Sequence, residues 1–323
     1  MRNRLSFSVL ATALMVACSL CAAPAYAQRG RVFVASYGND SNPCTFGSPC
    51  RNFQAAVTAV LAGGEVTAID SAGFGPIAIN KAVTITSPDG VEAGIVPATG
   101  GNAITINAGP SDAIVLRGLT LNGSGIAING VEFNSGGSLT VINCVAQNFI
   151  ISGAASGNGI LLQPTAGTVD FTITNTIVLN NANAGILYLP PSGSASVNGV
   201  IDRVVATHNP FGIELNTSSA TGATIAAISN SVVGHNSNTG IYAQNASGGF
   251  KLSIDNTQLS SNGSAIEAFN TANVLLGRSV IMGNGVGVHN TTSPNTFSTY
   301  KDNRINLNTA DIDASPLLTQ AQQ

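Results

Sequence analysis

The chain contains no tryptophan, and aromatic residues make up only 5% of it. Sugar-binding grooves usually carry aromatic platforms, so this scarcity counts against a deep polysaccharide cleft. Charge is equally thin, at 8% against the usual quarter. Low charge with abundant Ile, Val and Leu excludes disorder. Three histidines, with no second cysteine pair at ligand spacing, make a metal centre improbable. Beyond the first 27 residues no run is long and apolar enough to span a bilayer, so no membrane span is expected.

Those first residues read as a secretory leader. Arg2 and Arg4 give a positive start, Val9 to Ala23 is apolar, and Ala25-Tyr26-Ala27 is a small-x-small cleavage site before Gln28. The stretch is too short and wrongly flanked for a membrane anchor. Residues 1–27 are therefore expected to be a signal peptide, and the protein to be exported, periplasmic or extracellular. Cleavage removes two of twelve Lys and Arg but none of fifteen acids; ten bases against fifteen acids is a net charge of −5. An acidic surface attracts neither nucleic acid nor an anionic membrane, so neither is expected as a partner.

What is abundant is a repeating pair. Gly-Ile or a near variant occurs at Gly159-Ile160, Gly185-Ile186, Gly212-Ile213, Gly240-Ile241, Ala265-Ile266 and Gly287-Val288, in steps of 26, 27, 28, 25 and 22 residues. A period in the twenties is the mark of a stacked repeat protein. About ten residues before each pair sits a small polar residue in a β-branched run: Asn143, Asn175, Asp202, Asn230 and Asn256, with Arg278 or Ser279 at the matching place later. A second polar cluster falls just before the pair, at Asn180-Asn181, His208-Asn209, His235-Asn236, Asn262 and Asn284. Each unit reads strand, Asn turn, short strand, Asn turn, Gly-Ile strand, then a Ser/Gly/Thr loop. Asparagine tolerates left-handed backbone and so suits the corners. Stacked in register, the series Asn143, Asn175, Asp202, Asn230 and Asn256 is expected to form an amide ladder.

Leucine-rich repeats share the period but need Leu-x-x-Leu-x-Leu, which is absent. Left-handed hexapeptide helices keep a tighter period. The pattern predicts an all-β, right-handed parallel β-helix over residues 65–308, one domain despite the length, with an irregular tail at 309–323. Residues 28–64 precede it. Val32-Phe33-Val34 reads as a strand. Phe53, Ala56, Val57 and Val60 share one face of a short helix from Arg51 to Leu61, closed by Gly63-Gly64, suited to cover an open solenoid end. Cys44 and Cys50 bracket a tight Thr-Phe-Gly-Ser-Pro loop, and in an oxidising compartment they are expected to be disulfide-bonded. Cys144, beside Asn143, is expected to be a buried free thiol.

The segment 31–86 carries a resemblance. Gly38-Asn39-Asp40, Asn42-Pro43-Cys44, Pro49-Cys50-Arg51, Phe53 and Ala56 lead through the helix and Gly-Gly to Ile77-Ala-Ile-Asn-Lys-Ala-Val-Thr-Ile. This string resembles the N-terminal part of pectin-lyase-like right-handed parallel β-helix proteins, closest to small exported bacterial members with no assigned activity. The match is specific over about 55 residues and generic over the remaining units. The resemblance implies the fold and admits carbohydrate chemistry. It carries no catalytic residue over. A polygalacturonase-like site needs clustered Asp with Gly-His-Gly and Arg-x-Lys, and none occurs. A pectate-lyase-like site needs grouped acids on calcium with a basic residue. The acids here are dispersed, so calcium is unsupported and no cofactor is expected. A methylesterase-like set of two Asp, Gln and Arg on adjacent rungs cannot be assembled.

The repeat itself offers one candidate row. The residue after each Ile or Val should point outward, because strand side chains alternate. That row is Leu161, Leu187, Glu214, Tyr242, Glu267 and His289. Two rungs at about 4.8 Å each would put Glu214 and Glu267 roughly 10 Å apart, near the upper limit of about 9.5 Å for an inverting glycosidase pair. Tyr242 between them could stack on a sugar face. Exposed polar residues are also what an outward row holds by default. His208 and His235 are expected to be a stacked turn pair, and Asp202-Arg203 a surface ion pair. Two functions fit: a monomeric, exported, non-catalytic glycan-interacting or scaffold protein, or a polysaccharide lyase or glycoside hydrolase working along the β-helix face.

Overall fold

A computed structural model describes residues 29–151, 153, 155–194, 196–245 and 249–321. The signal-peptide expectation falls outside them. Among the described residues no helix is long and apolar enough to cross a membrane.

The chain winds as a parallel β-solenoid with three faces, formed by sheets of 12, 10 and 10 strands in which every rung pairs in parallel with the rungs before and after it. Each repeat contributes one strand per face. For one central repeat these are Ser196–Asp202 in the long sheet, Val205–Thr207 in the short sheet and Phe211–Thr217 in the Gly-Ile sheet. The β-branched alternation points one set of residues inward on each face. Ile201, Ala206, Ile213 and Leu215 are buried, as are their counterparts in neighbouring rungs, in one continuous core. The glycine of Gly-Ile is fixed by crowding. A Cβ on Gly212 would meet the Gly240 carbonyl oxygen at 2.6 Å and the Asn236 amide at 2.9 Å.

Two corners join the faces, and both need a residue with positive φ. The first, between long and short sheets, uses Asn143, Asn175, Arg203, Asn230, Asn256 and Arg278. The second, between short and Gly-Ile sheets, uses Asn180, His208, His235, Ser261, Gly283 and Leu307. In each case the next residue turns inward, and its backbone N–H must find a partner inside the solenoid.

This relocates the amide ladder. At the second corner the inward residues are Asn181, Asn209, Asn236, Asn262, Asn284 and Asn308. Each of the first five donates its backbone N–H to the side-chain carbonyl of the next, at 2.9–3.1 Å. Each side-chain NH2 also bonds the next carbonyl, and a backbone carbonyl of the preceding rung. The expected ladder at the first corner forms only in part, from Asp202 through Asn230 to Asn256, and it is largely exposed. Asn256 donates to Asn230 and Arg203 to Asn175, while Asn230 bonds Asp202. Asp202 also falls one residue out of phase. It ends its strand, and Arg203 takes the left-handed position that its place in the series implied for Asp202.

The solenoid reaches further than residues 65–308. At one end Arg29–Val34 pairs with Val60–Ala68, both in the long sheet. At the other, Ala310–Ala314 extends the Gly-Ile sheet and Leu318–Thr319 the long sheet, where an irregular tail was expected. These last strands are largely exposed, so no apolar alternation announced them. The helix is shorter than predicted, Phe53–Ala59, because Asn52 is extended and Val60 begins a strand. It buries Phe53, Ala56 and Val57, with Phe53 against the Phe74 ring at 5.1 Å. Cys44 and Cys50 form the disulfide.

Cys144 occupies the inward position of the first corner, and burial pushes its thiol up to about 11. A thiol so held stays protonated and inaccessible. It should resist a thiol reagent at pH 8 in the native protein and react fully in denaturant; rapid native labelling would contradict the placement. Asn236 accepts the backbone N–H and side-chain amide of Asn209. Asn236→Ala strands the buried Asn209 backbone N–H, whose side-chain amide keeps Val178 and Thr207 as acceptors, and should lower stability by about 3 kcal/mol in chemical denaturation. A loss well under about 1 kcal/mol would show that the ladder is not what holds the corner.

Candidate functional site

Strand register puts the row read from the sequence into one line on the outer side of the Gly-Ile sheet. Leu161 pairs with Leu187, Leu187 with Glu214, Glu214 with Tyr242, Tyr242 with Glu267 and Glu267 with His289. The line continues to Asp313 beyond His289 and to Glu132 before Leu161.

The row is not uniform. Leu161 and Leu187 point away from the core, yet both are buried. With Ala184 they form a small second cluster on the outer face, covered by Ala155, Leu189 and Phe211. The open part of the row begins where this cover stops, at Glu214.

From there four rings touch in sequence. Phe211 meets Tyr242 edge-on at 5.8 Å, Tyr242 meets Phe269 at 5.2 Å, and Phe269 meets His289 at 5.7 Å. Tyr242 and His289 share the central row, with Phe211 to one side of it and Phe269 to the other, so the rings zigzag from rung to rung. All four are half-buried and keep surface in solvent. The carboxylates lie among them. Glu214 accepts from the Asn216 amide at 3.3 Å, and burial raises its carboxyl above the ordinary range. The Tyr242 hydroxyl donates to Gln244 at 2.7 Å. Burial raises the pKa of that hydroxyl, and the negative charges of Glu214 and Glu267 add to the effect. His289 Nδ1 lies 2.9 Å from Asp313, whose carboxyl the bond holds low.

Phe211, Phe269 and Asp313 were missed from the sequence. Phe269 lies two residues past Glu267, in an outward row that alternation already implied; Phe211 lies three residues before Glu214, where alternation would turn it inward, and it faces outward because Gly212 and Ile213 are both buried. Asp313 follows Asp311-Ile312, which stands where Gly-Ile would be expected.

The other singled-out residues sit apart from this face. His208 and His235 stack at 5.2 Å on the exposed second corner. Asp202 and Arg203 form an ion pair at 2.5 Å. Among the described residues no group of three or more His, Cys, Asp or Glu is placed to hold a metal ion. A cleft of about 720 Å³ lies elsewhere, on the outer side of the long sheet around Gly277.

No protein-family profile and no curated protein matches the chain. Several solved structures are similar in fold. A pectate lyase, Pel9A, is 17% identical, with 87% of this chain and 71% of that one covered and a TM-score of 0.44. A rhamnogalacturonan lyase is 13% identical, with 79% and 75% covered and a TM-score of 0.42. The A-module of the Azotobacter vinelandii mannuronan C-5 epimerase AlgE4 is 15% identical, with 84% and 94% covered and a TM-score of 0.43. The fold assignment rests on the strand pairing of this chain, and it is the parallel β-solenoid that the resemblance to pectin-lyase-like proteins implies.

Burial of Glu214 makes a pH prediction. Its folded carboxyl titrates above its unfolded value, so ionisation costs the native state once pH exceeds the ordinary glutamate range. Glu214→Gln should therefore be more stable than wild type at pH 7. The gain should vanish on acidification below that range, as followed by thermal melts across pH. Equal stability at every pH would contradict the burial.

Proposed function

We propose that this chain, a right-handed parallel β-helix whose N-terminal helix covers the first turn, is an exported, non-catalytic glycan-binding protein. The observation that carries this reading is the line of touching rings, Phe211, Tyr242, Phe269 and His289, on the open half of the Gly-Ile face. Ring faces suit the C–H surfaces of a sugar, and Glu214, Glu267 and Asp313 can accept from its hydroxyls. The rows repeat at the rung spacing of about 4.8 Å, which suits an extended polymer laid along the solenoid.

One observation favours hydrolysis instead. Glu214 is kept protonated more readily than an ordinary glutamate, as a general acid would be, and Glu267 sits two rungs away as a possible base.

The deciding experiment presents the protein with a panel of polysaccharides and scores retention, reducing ends and unsaturated products separately. Binding without product is expected, and Tyr242→Ala should weaken it at least about tenfold. Turnover lost in both Glu214→Gln and Glu267→Gln would overturn the non-catalytic reading. No retention by any polysaccharide would overturn glycan binding and leave a structural scaffold.

A further inference from the structure

A second site is built on a different face. Along the outer side of the long sheet, one row runs Arg117, Ile142, Thr174, Asp202, Ser229, Asp255 and Gly277 in strict register. Six of these rungs carry a side chain, and the seventh carries none. Gly277 is not needed for backbone freedom, since its φ lies outside the left-handed region. What it permits is close approach by its neighbours. A Cβ at Gly277 would come within 3.2 Å of Asp255 Oδ1 and 3.3 Å of the Tyr300 ring. A strand glycine of this kind marks a place where something else approaches the backbone closely.

Beside Gly277 lies the cleft of about 720 Å³, within the size range of small-ligand sites. Asp255 stands on one side of Gly277, with Tyr300 and Asp302 on the other. Arg278, next along the chain, turns its guanidinium onto Asp255 and makes two bonds to it, through Nε at 2.9 Å and through Nη2. The Arg278 backbone N–H donates to Asp302 at 3.0 Å. Ser253, Leu275, Gln320 and Ala321 complete the lining.

These groups narrow the ligand. A free anion would face two carboxylates. A divalent cation would have to compete with a guanidinium already seated on Asp255. What remains is a neutral ligand that both gives and takes hydrogen bonds. The carboxylates accept, the Ser253 and Tyr300 hydroxyls do both, and Gln320 and Arg278 donate. Leu275 and the Tyr300 ring supply an apolar surface for carbon-bound hydrogens. We infer that the Gly277 cleft is a binding site for a neutral saccharide unit, separate from the Gly-Ile face and independent of whether that face binds glycan.

The test is calorimetric titration of the full mature chain with cellotetraose, xylotetraose and mannotetraose. The parent is Tyr242→Ala, which disables the Gly-Ile face, and it is compared with the same chain carrying Gly277→Val, which crowds Asp255 and Tyr300 at the cleft, or Tyr300→Ala, which removes its ring. At least one tetrasaccharide should bind the parent. Gly277→Val and Tyr300→Ala should each weaken that binding by about tenfold or more. If Gly277→Val does not fold, Tyr300→Ala carries the comparison. Absence of binding to the parent for all three sugars would overturn the inference. So would affinity unchanged in the cleft variants.

Discussion

Everything in this solenoid depends on pairing the backbone N–H groups that turn inward at its corners. Within the sheets each rung satisfies its neighbours directly. At a corner the left-handed residue breaks that pairing, and the following N–H points into an apolar interior, where an unpaired donor is costly. At the second corner the chain solves this with one asparagine per rung. The side-chain carbonyl of Asn236 takes the N–H of Asn209, that of Asn262 takes the N–H of Asn236, and so on to Asn308. The last asparagine is tied to Asp311, and the first accepts from Phe149. The first corner uses hydroxyls for the same task, as where Ser231 accepts from Val204 and Ser279 from Thr257. Because these bonds run from rung to rung, they fix the stacking register as well as the corner.

A fixed register turns outward residues into straight rows, and the rows are where function can be written. On the Gly-Ile face the row changes character at Glu214. Before it, Leu161 and Leu187 are roofed by a second apolar cluster; from it onward, acids and rings are half-buried and reach solvent. On the long sheet the row's glycine, Gly277, lets Asp255 and Tyr300 approach the backbone beside a cleft that these two and Asp302 line. Neither site asks anything of the core, so both can vary without disturbing the stack.

The architecture was readable in the sequence because it is periodic. Gly-Ile marks a crowded strand position that only glycine or alanine fits, and it recurs at every rung from 159 to 287. The outward row followed from it directly, since the residue after each buried Ile or Val faces the other side of the sheet. What was misread lay where chemistry and geometry part company. Asparagine is common at both corners, and only burial separates the structural column at Asn181 to Asn308 from the exposed one at Asn143 to Asn256. Asp202 looked like a corner residue because Arg203, which actually turns the chain, has no reputation for doing so. Ala310–Ala314 carries almost no apolar signal, as a last strand with solvent on its far side does not require one. The Gly277 cleft was invisible because its lining comes from successive rungs and from just past the last strand, which no motif links.

The most direct test is residue-resolved hydrogen exchange on the native protein. If the inward asparagines close the second corner, the backbone amides of Asn181, Asn209, Asn236, Asn262 and Asn284 will be among the slowest to exchange, as slow as the central strands, although each sits in a turn. Exchange of those five amides at the rate of the exposed corner residues beside them would contradict the account.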